Sequence, residues 1–265
     1  FADRKTISKL DKFTGDLIWE TTVKEELGVS DLQILSKNRV LLFGKGYRYV
    51  DFVLDKDKQA RVFLVDANDG TVLRNKELPR GEIIINHAVN DAFVYVLTSD
   101  KVYQFDHQLN LLKTEQLPST YGAPFRVITW SSSRYDADLL TDIPDFPLTI
   151  RTMQGVVGLH PTTLEELWYQ RLGMPLSEQP QILRQDRWQL PILLQDIDSR
   201  RSWVDERTET FWFAKAQKIM GVDLINNGSV VAEFPMDSDD FWYVGDGELL
   251  QFGGRDIRIL RLEAN

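Results

Sequence analysis

The sequence predicts an all-β chain built from repeated antiparallel four-stranded units. A strand–turn–strand motif recurs along all 265 residues, and apolar side chains alternate with polar ones at a period of two within each copy. No amphipathic stretch of about ten or more residues has the periodicity of a helix. With 43% hydrophobic and 27% charged residues, the composition is that of a globular protein. We therefore expect residues 1–265 to form a single domain.

The first strand of each copy ends at a polar anchor residue, and a tight turn follows. An aspartate at the anchor can accept hydrogen bonds from the N–H groups of its own turn. Glycine or asparagine in the turn supplies a positive φ. The anchors are Asp11, Asp66, Asp106, His160, Asp223 and Glu263. The turn positions are Gly15, Gly70, Asn110 and Gly228.

Two further strands are predicted ahead of each later copy. They are residues 32–35 and 39–43, 83–86 and 92–97, 125–130 and 148–153, 181–184 and 190–194, and 241–244 and 248–252. Neighbouring anchors lie 40 to 63 residues apart, and a period near 40 with insertions is typical of a four-stranded blade. The prediction is therefore a β-propeller of five or six antiparallel blades. The N-terminus supplies two strands and the C-terminus three, one more than a shared blade needs.

The first copy resembles the tryptophan-docking repeat of pyrroloquinoline-quinone (PQQ) propellers in Asp11, Thr14, Gly15 and Trp19. Trp19 follows Asp11 by eight residues, the family spacing, and Trp168 follows His160 by the same interval. The resemblance implies a β-propeller of the PQQ-like repeat superfamily. Its dehydrogenases carry the quinone, a calcium ion and adjacent cysteines, whereas many members are cofactor-free scaffolds, among them outer-membrane assembly lipoproteins. Since this chain has no cysteine, we expect no cofactor.

Composition excludes several kinds of partner and site. The net charge is −9, from 31 basic and 40 acidic residues, which argues against binding to nucleic acid or to anionic membranes. The lack of cysteine excludes disulfides, thiolate metal sites and cysteine nucleophiles. No stretch is apolar enough to predict a transmembrane segment. The chain begins at Phe1, so we expect that a leader has been removed or that the chain is a cut piece.

Catalytic patterns are weak. A glycosidase needs two carboxylates on either side of the scissile bond, and the candidates near the start of a repeat unit are Asp31, Glu82 and Asp240. They form no motif. The three histidines, His87, His107 and His160, are interpreted as structural, because two of them occupy repeat turns on different units. We expect no metal site and no enzyme activity, and leave a carbohydrate-active enzyme as the alternative.

The insertions are the better candidates for a binding surface, because long loops on a rigid scaffold often carry function. Insertions are expected at residues 45–59, 131–147 and 195–210. The first is interpreted as an extended hairpin. The other two combine charge with aromatic anchors, as protein-binding hot spots do. The alternative for 131–147 is a solvated acidic loop, and the alternative for 195–210 is a long β-hairpin that extends one blade. The candidate binding residues are Tyr135, Asp138, Asp142, Asp145, Phe146, Arg200, Arg201 and Trp203.

Fold, resemblance and weak catalytic patterns together predict a non-catalytic protein–protein interaction scaffold. The resemblance places it in the bacterial cell envelope, periplasmic or anchored to the outer membrane. A cytoplasmic acidic inhibitor or immunity-type binder is the other alternative. The protein partner and the oligomeric state are left open.

Overall fold

The structure is a computed structural model. It describes residues 5–23, 30–50, 53–55, 59–128, 147–172, 202–205, 207–215, 218–235, 241–245, 247–253 and 256–261. Their regular structure is antiparallel β-strand apart from one 3₁₀ turn, Ser119–Tyr121. None of them forms a helix that is long and apolar enough to cross a membrane. They divide into two compact units, one up to Pro118 and one from Ser119 onward.

The first unit contains a two-stranded sheet, a small hairpin and two four-stranded sheets. The two-stranded sheet pairs β1 (Thr6–Leu10) with β2 (Leu17–Thr22). The first four-stranded sheet has the order β3 (Ser30–Ser36), β4 (Arg39–Gly44), β7 (Arg61–Asp66) and β8 (Val72–Glu77). The hairpin of β5 (Arg48–Val50) and β6 (Val53–Asp55) lies in the insertion 45–59, as predicted. The second four-stranded sheet contains β9 (Asn86–Val89), β10 (Phe93–Leu97), β11 (Lys101–Asp106) and β12 (Leu111–Gln116).

The second unit contains two four-stranded sheets and one three-stranded sheet. The first consists of β13 (Pro124–Ile128), β14 (Leu148–Thr152), β15 (Gly155–Leu159) and β16 (Glu166–Arg171). The second consists of β17 (Ser202–Asp205), β18 (Thr210–Lys215), β19 (Lys218–Asp223) and β20 (Val230–Pro235). The last, called here the C-terminal sheet, consists of β21 (Phe241–Gly245), β22 (Glu248–Gly253) and β23 (Asp256–Arg261).

The prediction of four-stranded antiparallel units is confirmed, with two differences. The strand predicted at 83–86 begins only at Asn86, because Ile83 to Ile85 are buried side chains of the preceding connection. The strands predicted at 181–184 and 190–194 lie outside the described residues, and β17 and β18 hold the first two places of that sheet. Part of the predicted insertion 195–210 is therefore a strand.

In the four-stranded sheets the third strand is buried and the fourth strand is largely exposed, which explains their different compositions. The third strand β7 is buried at its four central residues, whereas β8 is exposed at almost every residue. A strand that is covered on both faces reads as a continuous apolar run, and an outer strand mixes polar with apolar residues. Buried apolar side chains of successive sheets meet in shared clusters. One of these clusters joins Leu41 and Val62 to Val94 and Phe105.

The anchor side chains cap their own turns, as predicted. Asp11 Oδ1 accepts hydrogen bonds from the N–H groups of Phe13 (2.8 Å) and Thr14 (2.9 Å). The backbone donors Thr14 and Phe13 lower the pKa of Asp11 because they stabilise its carboxylate. His160 occupies the same position in its repeat, and its Nδ1 accepts from Thr162 N (3.1 Å) and Thr163 N (3.2 Å). The imidazole Nδ1 therefore takes the place of the carboxylate oxygen as the acceptor in this turn.

Two tryptophans pack against the turn glycine of the next sheet. A Cβ at Gly70 would lie 2.6 Å from Cε3 of Trp19, whose Nε1 donates to Ala67 O at 3.1 Å. Trp168 lies in the same way against Gly228, where a Cβ would be 2.9 Å from its Cδ2. Both glycines have a positive φ, 79° and 66°. These turns therefore need glycine for its conformation and for the space that the indole fills.

In one repeat, both the tryptophan and the turn glycine that would contact it are replaced by polar residues. Arg74 on β8 holds the tryptophan position of its repeat, and Asn110 holds the glycine position of the next turn. Arg74 Nη1 donates to Asn110 Oδ1 at 2.7 Å. A polar pair thus makes the contact here that a tryptophan–glycine pair makes between other sheets.

Candidate interaction surface

One of the eight predicted binding residues, Trp203, lies within the described part of the chain. Seven of them lie outside the described residues: Tyr135, Asp138, Asp142, Asp145, Phe146, Arg200 and Arg201. The eighth, Trp203, lies on β17 with its backbone opposite Trp212 on β18. Trp212 and Trp242 are 2% and 1% exposed, so these two tryptophans belong to the protein core.

Two of the three candidate carboxylates are engaged by basic or hydroxyl groups. Asp31 lies 3.7 Å from Nζ of Lys45, which is itself buried. Glu82 accepts hydrogen bonds from Nζ of Lys101 at 2.6 Å and from the hydroxyl of Tyr103 at 2.7 Å. The hydrogen bond from Lys101 to Glu82 raises the pKa of Lys101. The third candidate, Asp240, lies outside the described residues.

His87 is a buried histidine whose pKa lies well below its ordinary value. Its ring stacks on Phe43 with centroids 3.8 Å apart, and Nδ1 is buried without a hydrogen-bond partner. Burial lowers the pKa of His87 to about 4, while Asp31 raises it and Lys45 lowers it further. His87 is therefore neutral near pH 7 and poorly suited to exchange protons with a substrate there.

The other histidines serve turns. His107 Nε2 lies 2.9 Å from Asn90 O, which ties one turn of its sheet to another, and His160 caps its own turn. Across the described ranges, no three potential metal-ligating side chains converge.

The C-terminal sheet has one buried and one exposed face, and both faces are apolar. The buried face packs Trp242, Val244 and Leu249 against Trp212 and Ile219 of the neighbouring sheet. On the other face, the cross-strand rows bring together five side chains of the three strands. We call this set the outer face: Tyr243, Leu250, Phe252, Ile257 and Ile259.

The side chains of the outer face are exposed although all five are apolar or aromatic. Ile257 and Ile259 are 66% and 61% exposed, and Tyr243 and Phe252 are 45% and 38% exposed. A contiguous exposed apolar surface on a folded protein commonly marks an interaction site. Isoleucine on two successive outward positions of one strand has no role in the described packing, so this face is the candidate interaction surface.

The outer edge of β23 adds charge to this surface. Within the described residues, β23 pairs with β22 alone. Arg258 and Arg261 lie on opposite faces of β23, and both are exposed. Arg261 Nε lies 3.8 Å from Glu248 Oε1, and this ion pair is weak because the arginine side chain is 88% exposed. The strands β22 and β23 also carry the acidic residues Glu248 and Asp256, so this part of the sheet has charges of both signs.

The sequence analysis did not predict this surface because it assigned Ile257 and Ile259 to a strand of the last repeat copy. β23 carries apolar residues on both faces, as a fully covered strand does, so the sequence pattern predicts burial of both faces. Only the three-dimensional arrangement shows which of its two faces is covered.

No family model matches the sequence, and no curated protein matches it. The chain is similar in structure to BamB from Moraxella catarrhalis, with 16% identity and a TM-score of 0.50 over 94% of this chain and 64% of BamB. It is similar to the dihydro-heme d1 dehydrogenase NirN in complex with DHE, with 12% identity and a TM-score of 0.56 over 98% of this chain and 50% of NirN. A functionally unknown protein from Desulfotomaculum acetoxidans DSM 771 shares 8% identity, with a TM-score of 0.53 over 98% of this chain and 73% of that one.

The chain thus spans 64% of the length of BamB and 50% of that of NirN. At these identities the likenesses bear on the fold alone. Together with the antiparallel four-stranded sheets, they show that this is an all-β chain with a β-propeller fold.

Proposed function

We propose that the chain is a non-catalytic protein–protein interaction scaffold, built as a single-domain β-propeller of the PQQ-like repeat superfamily. The observation that carries this proposal is the outer face of the C-terminal sheet, with Ile257 and Ile259 more than half exposed. Burying such side chains against a protein contributes about 25 cal/mol per Å² of apolar surface. A protein partner is therefore the ligand class that this surface suits best.

The carboxylates support the same proposal. Asp31 and Glu82 are each held by a lysine, and Glu82 by a tyrosine hydroxyl as well. A glycosidase needs one carboxyl protonated and one free to act on the sugar or on water. Carboxylates that are committed to internal hydrogen bonds favour a structural role in the first unit.

Cell-envelope association is part of the proposal. It rests on the tryptophan-docking repeat, because cofactor-free scaffolds with such repeats include outer-membrane assembly lipoproteins. Fractionation of the native cells, with the chain detected by antibody, tests it directly. Recovery in the periplasmic or outer-membrane fraction is expected, and exclusive recovery with cytoplasmic markers would contradict it.

The predicted insertions remain a second proposed surface. Tyr135 and Phe146 would act as aromatic anchors among Asp138, Asp142 and Asp145, and Trp203 would do so beside Arg200 and Arg201. Such anchors surrounded by charge are typical of binding hot spots.

Affinity capture from native extract tests the proposed function. The tagged chain is compared with Tyr135→Ala plus Trp203→Ala, with Ile257→Lys plus Ile259→Lys, and with the control Leu112→Lys. Leu112 is an apolar residue on β12 that is 51% exposed, so its replacement matches the change in surface without touching either candidate surface. We expect a specific partner that the control retains and at least one double variant loses by about tenfold, equal to about 1.4 kcal/mol. Capture of no protein above background by the wild type would overturn the proposal.

A further inference from the structure

The turn that joins β19 to β20 differs from the other glycine turns of the repeat. In the turn after Asp66, the glycine follows its anchor by four residues, and Gly70 N donates to Asp66 O at 2.9 Å. The turn after Asp223 is one residue longer, because Asn227 stands between the usual turn residues and Gly228. Gly228 N is therefore out of register for the hydrogen bond that closes the shorter turn.

The peptide group between Asn227 and Gly228 is not held by hydrogen bonds. Among the residues that the structure describes, none accepts a hydrogen bond from Gly228 N–H, and none is bonded to the side-chain amide of Asn227. Asn227 is exposed and has a φ of 63°. The preceding Asn226 is different, since its Nδ2 donates to Asp223 Oδ2 at 3.1 Å. The amide of Asn227 and the nitrogen of Gly228 are thus both available for reaction with each other.

The order of these two residues favours such a reaction. A backbone nitrogen can attack the side-chain carbonyl carbon of the asparagine before it, which closes a five-membered ring. The attack is hindered when the following residue has a side chain, and glycine has none. Asn227–Gly228 is the single Asn–Gly pair in the sequence.

We propose that Asn227 is a site of spontaneous covalent modification, at which water converts the Asn227–Gly228 linkage into an isoaspartyl or aspartyl linkage. First, Gly228 N bonds to Cγ of Asn227, the Cγ–Nδ2 bond breaks, and ammonia leaves with the proton of Gly228 N–H. Water then adds to one of the two carbonyl carbons of the cyclic imide. Opening at the main-chain carbonyl gives isoaspartate, and opening at Cγ gives aspartate. Each product carries one new carboxylate, and no atom is oxidised or reduced.

The isoaspartyl product changes the backbone at a contact between two sheets. Gly228 is buried, and Trp168 of the preceding sheet packs on it so closely that a Cβ would lie 2.9 Å from Cδ2 of the indole. Isoaspartate adds one carbon atom to the main chain directly before Gly228. Because a close-packed contact leaves no room for this shift, we expect the isoaspartyl form to loosen the contact with Trp168. The aspartyl form keeps the original backbone and should keep the contact.

Incubation of the purified full chain at mildly alkaline pH tests the modification, with peptide mapping by mass spectrometry after digestion at acid pH. We expect amide-to-acid conversion at Asn227 at least tenfold faster than at any other asparagine. Isoaspartate is confirmed by its methylation with an isoaspartyl methyltransferase. The matched control is Asn227→Gly, which accepts the positive φ but has no amide, and it should yield no product in this turn. Conversion at Asn227 no faster than at Asn226 would overturn the proposal.

Urea denaturation of the purified isoaspartyl form tests the effect on the sheet contact. The control is Asn227→Asp, which has the same added charge on an unaltered backbone. We expect a lower urea midpoint for the isoaspartyl form than for Asn227→Asp, and circular dichroism shows whether both are folded before urea is added. Equal midpoints would overturn the predicted loosening of the Trp168 contact.

Discussion

Trp168→Ala removes the best-buried example of the contact that ties one sheet to the next. Trp168 is 7% exposed and belongs to an apolar cluster with Phe211, Phe213 and Val222 of the neighbouring sheet. Truncating a buried tryptophan costs about 3–5 kcal/mol through lost transfer energy and the cavity that remains. The indole N–H makes no hydrogen bond in the described structure, so no polar interaction is lost with it.

The assay is urea denaturation followed by far-ultraviolet circular dichroism, with thermal melting as a second measurement. At roughly 2–4 °C per kcal/mol for a chain of this size, the melting temperature should fall by about 6–20 °C. The control Phe13→Ala removes an aromatic ring that is 84% exposed, and it should stay within about 0.5 kcal/mol of the wild type. Trp19→Ala should cost an intermediate amount, about 2–4 kcal/mol, because its ring is only partly buried. A loss below about 1 kcal/mol for Trp168→Ala would refute the account of how the sheets are joined.

Three further predictions follow from single contacts. Gly15→Ala and Gly70→Ala impose the same backbone penalty of about 1–2 kcal/mol, since φ is 77° and 79°, but only the second Cβ would collide with the side chains of Thr21 and Trp19. Gly70→Ala should therefore lower the urea midpoint clearly more than Gly15→Ala does. Equal effects of the two substitutions would argue against the packing of Trp19 on Gly70. His87 has a pKa of about 4 when folded and about 6.5 when unfolded, so stability is present above pH 6.5 and is lost as the pH falls towards 4. Between pH 7 and pH 5 the wild type should lose up to about 2 kcal/mol that His87→Phe does not lose, as measured by urea titrations at both pH values. His160→Asp should keep the turn cap and change stability by less than about 0.5 kcal/mol, whereas His160→Ala should cost about 0.5–2 kcal/mol by the same assay.

The repeat units were predictable because local chemistry determines them. An anchor such as Asp11 caps its turn through atoms two and three residues away, and Gly70 takes a positive φ whatever the distant fold. Such short-range requirements leave a pattern in the sequence. The docking of Trp19 on Gly70 was predictable for a similar reason, since the spacing from the anchor is constant and the repeat is shared by a known family.

The hydrogen bond that replaces a tryptophan–glycine contact between two sheets was not predictable from the repeat. Arg74 and Asn110 each depart from the repeat motif at their position, yet they are hydrogen-bonded to each other. The sequence distance between them gives no sign of the pairing. Only the stacking of one sheet on the next brings the two side chains within 2.7 Å.

The candidate site was harder to predict than the fold. The composition around Trp203 left a binding insertion and a long β-hairpin open, and residues 202–205 form β17 and pair with the aromatic strand β18. Arginine and tryptophan are compatible with either, so composition does not separate a binding loop from a strand. Exposure of Ile257 and Ile259 depends on which face the neighbouring sheet covers, and a pattern of two apolar faces does not contain that information.

Site-specific photo-crosslinking in the native cells tests the central claim, that this chain is a protein-binding scaffold, most directly. A photoreactive phenylalanine analogue is placed at position 259, at position 203 or 135 on the other proposed surface, and at position 112 as the control. The account predicts a discrete crosslinked adduct with one protein from position 259, and none from position 112. Folded chain that gives no discrete adduct from positions 259, 203 and 135 would contradict it.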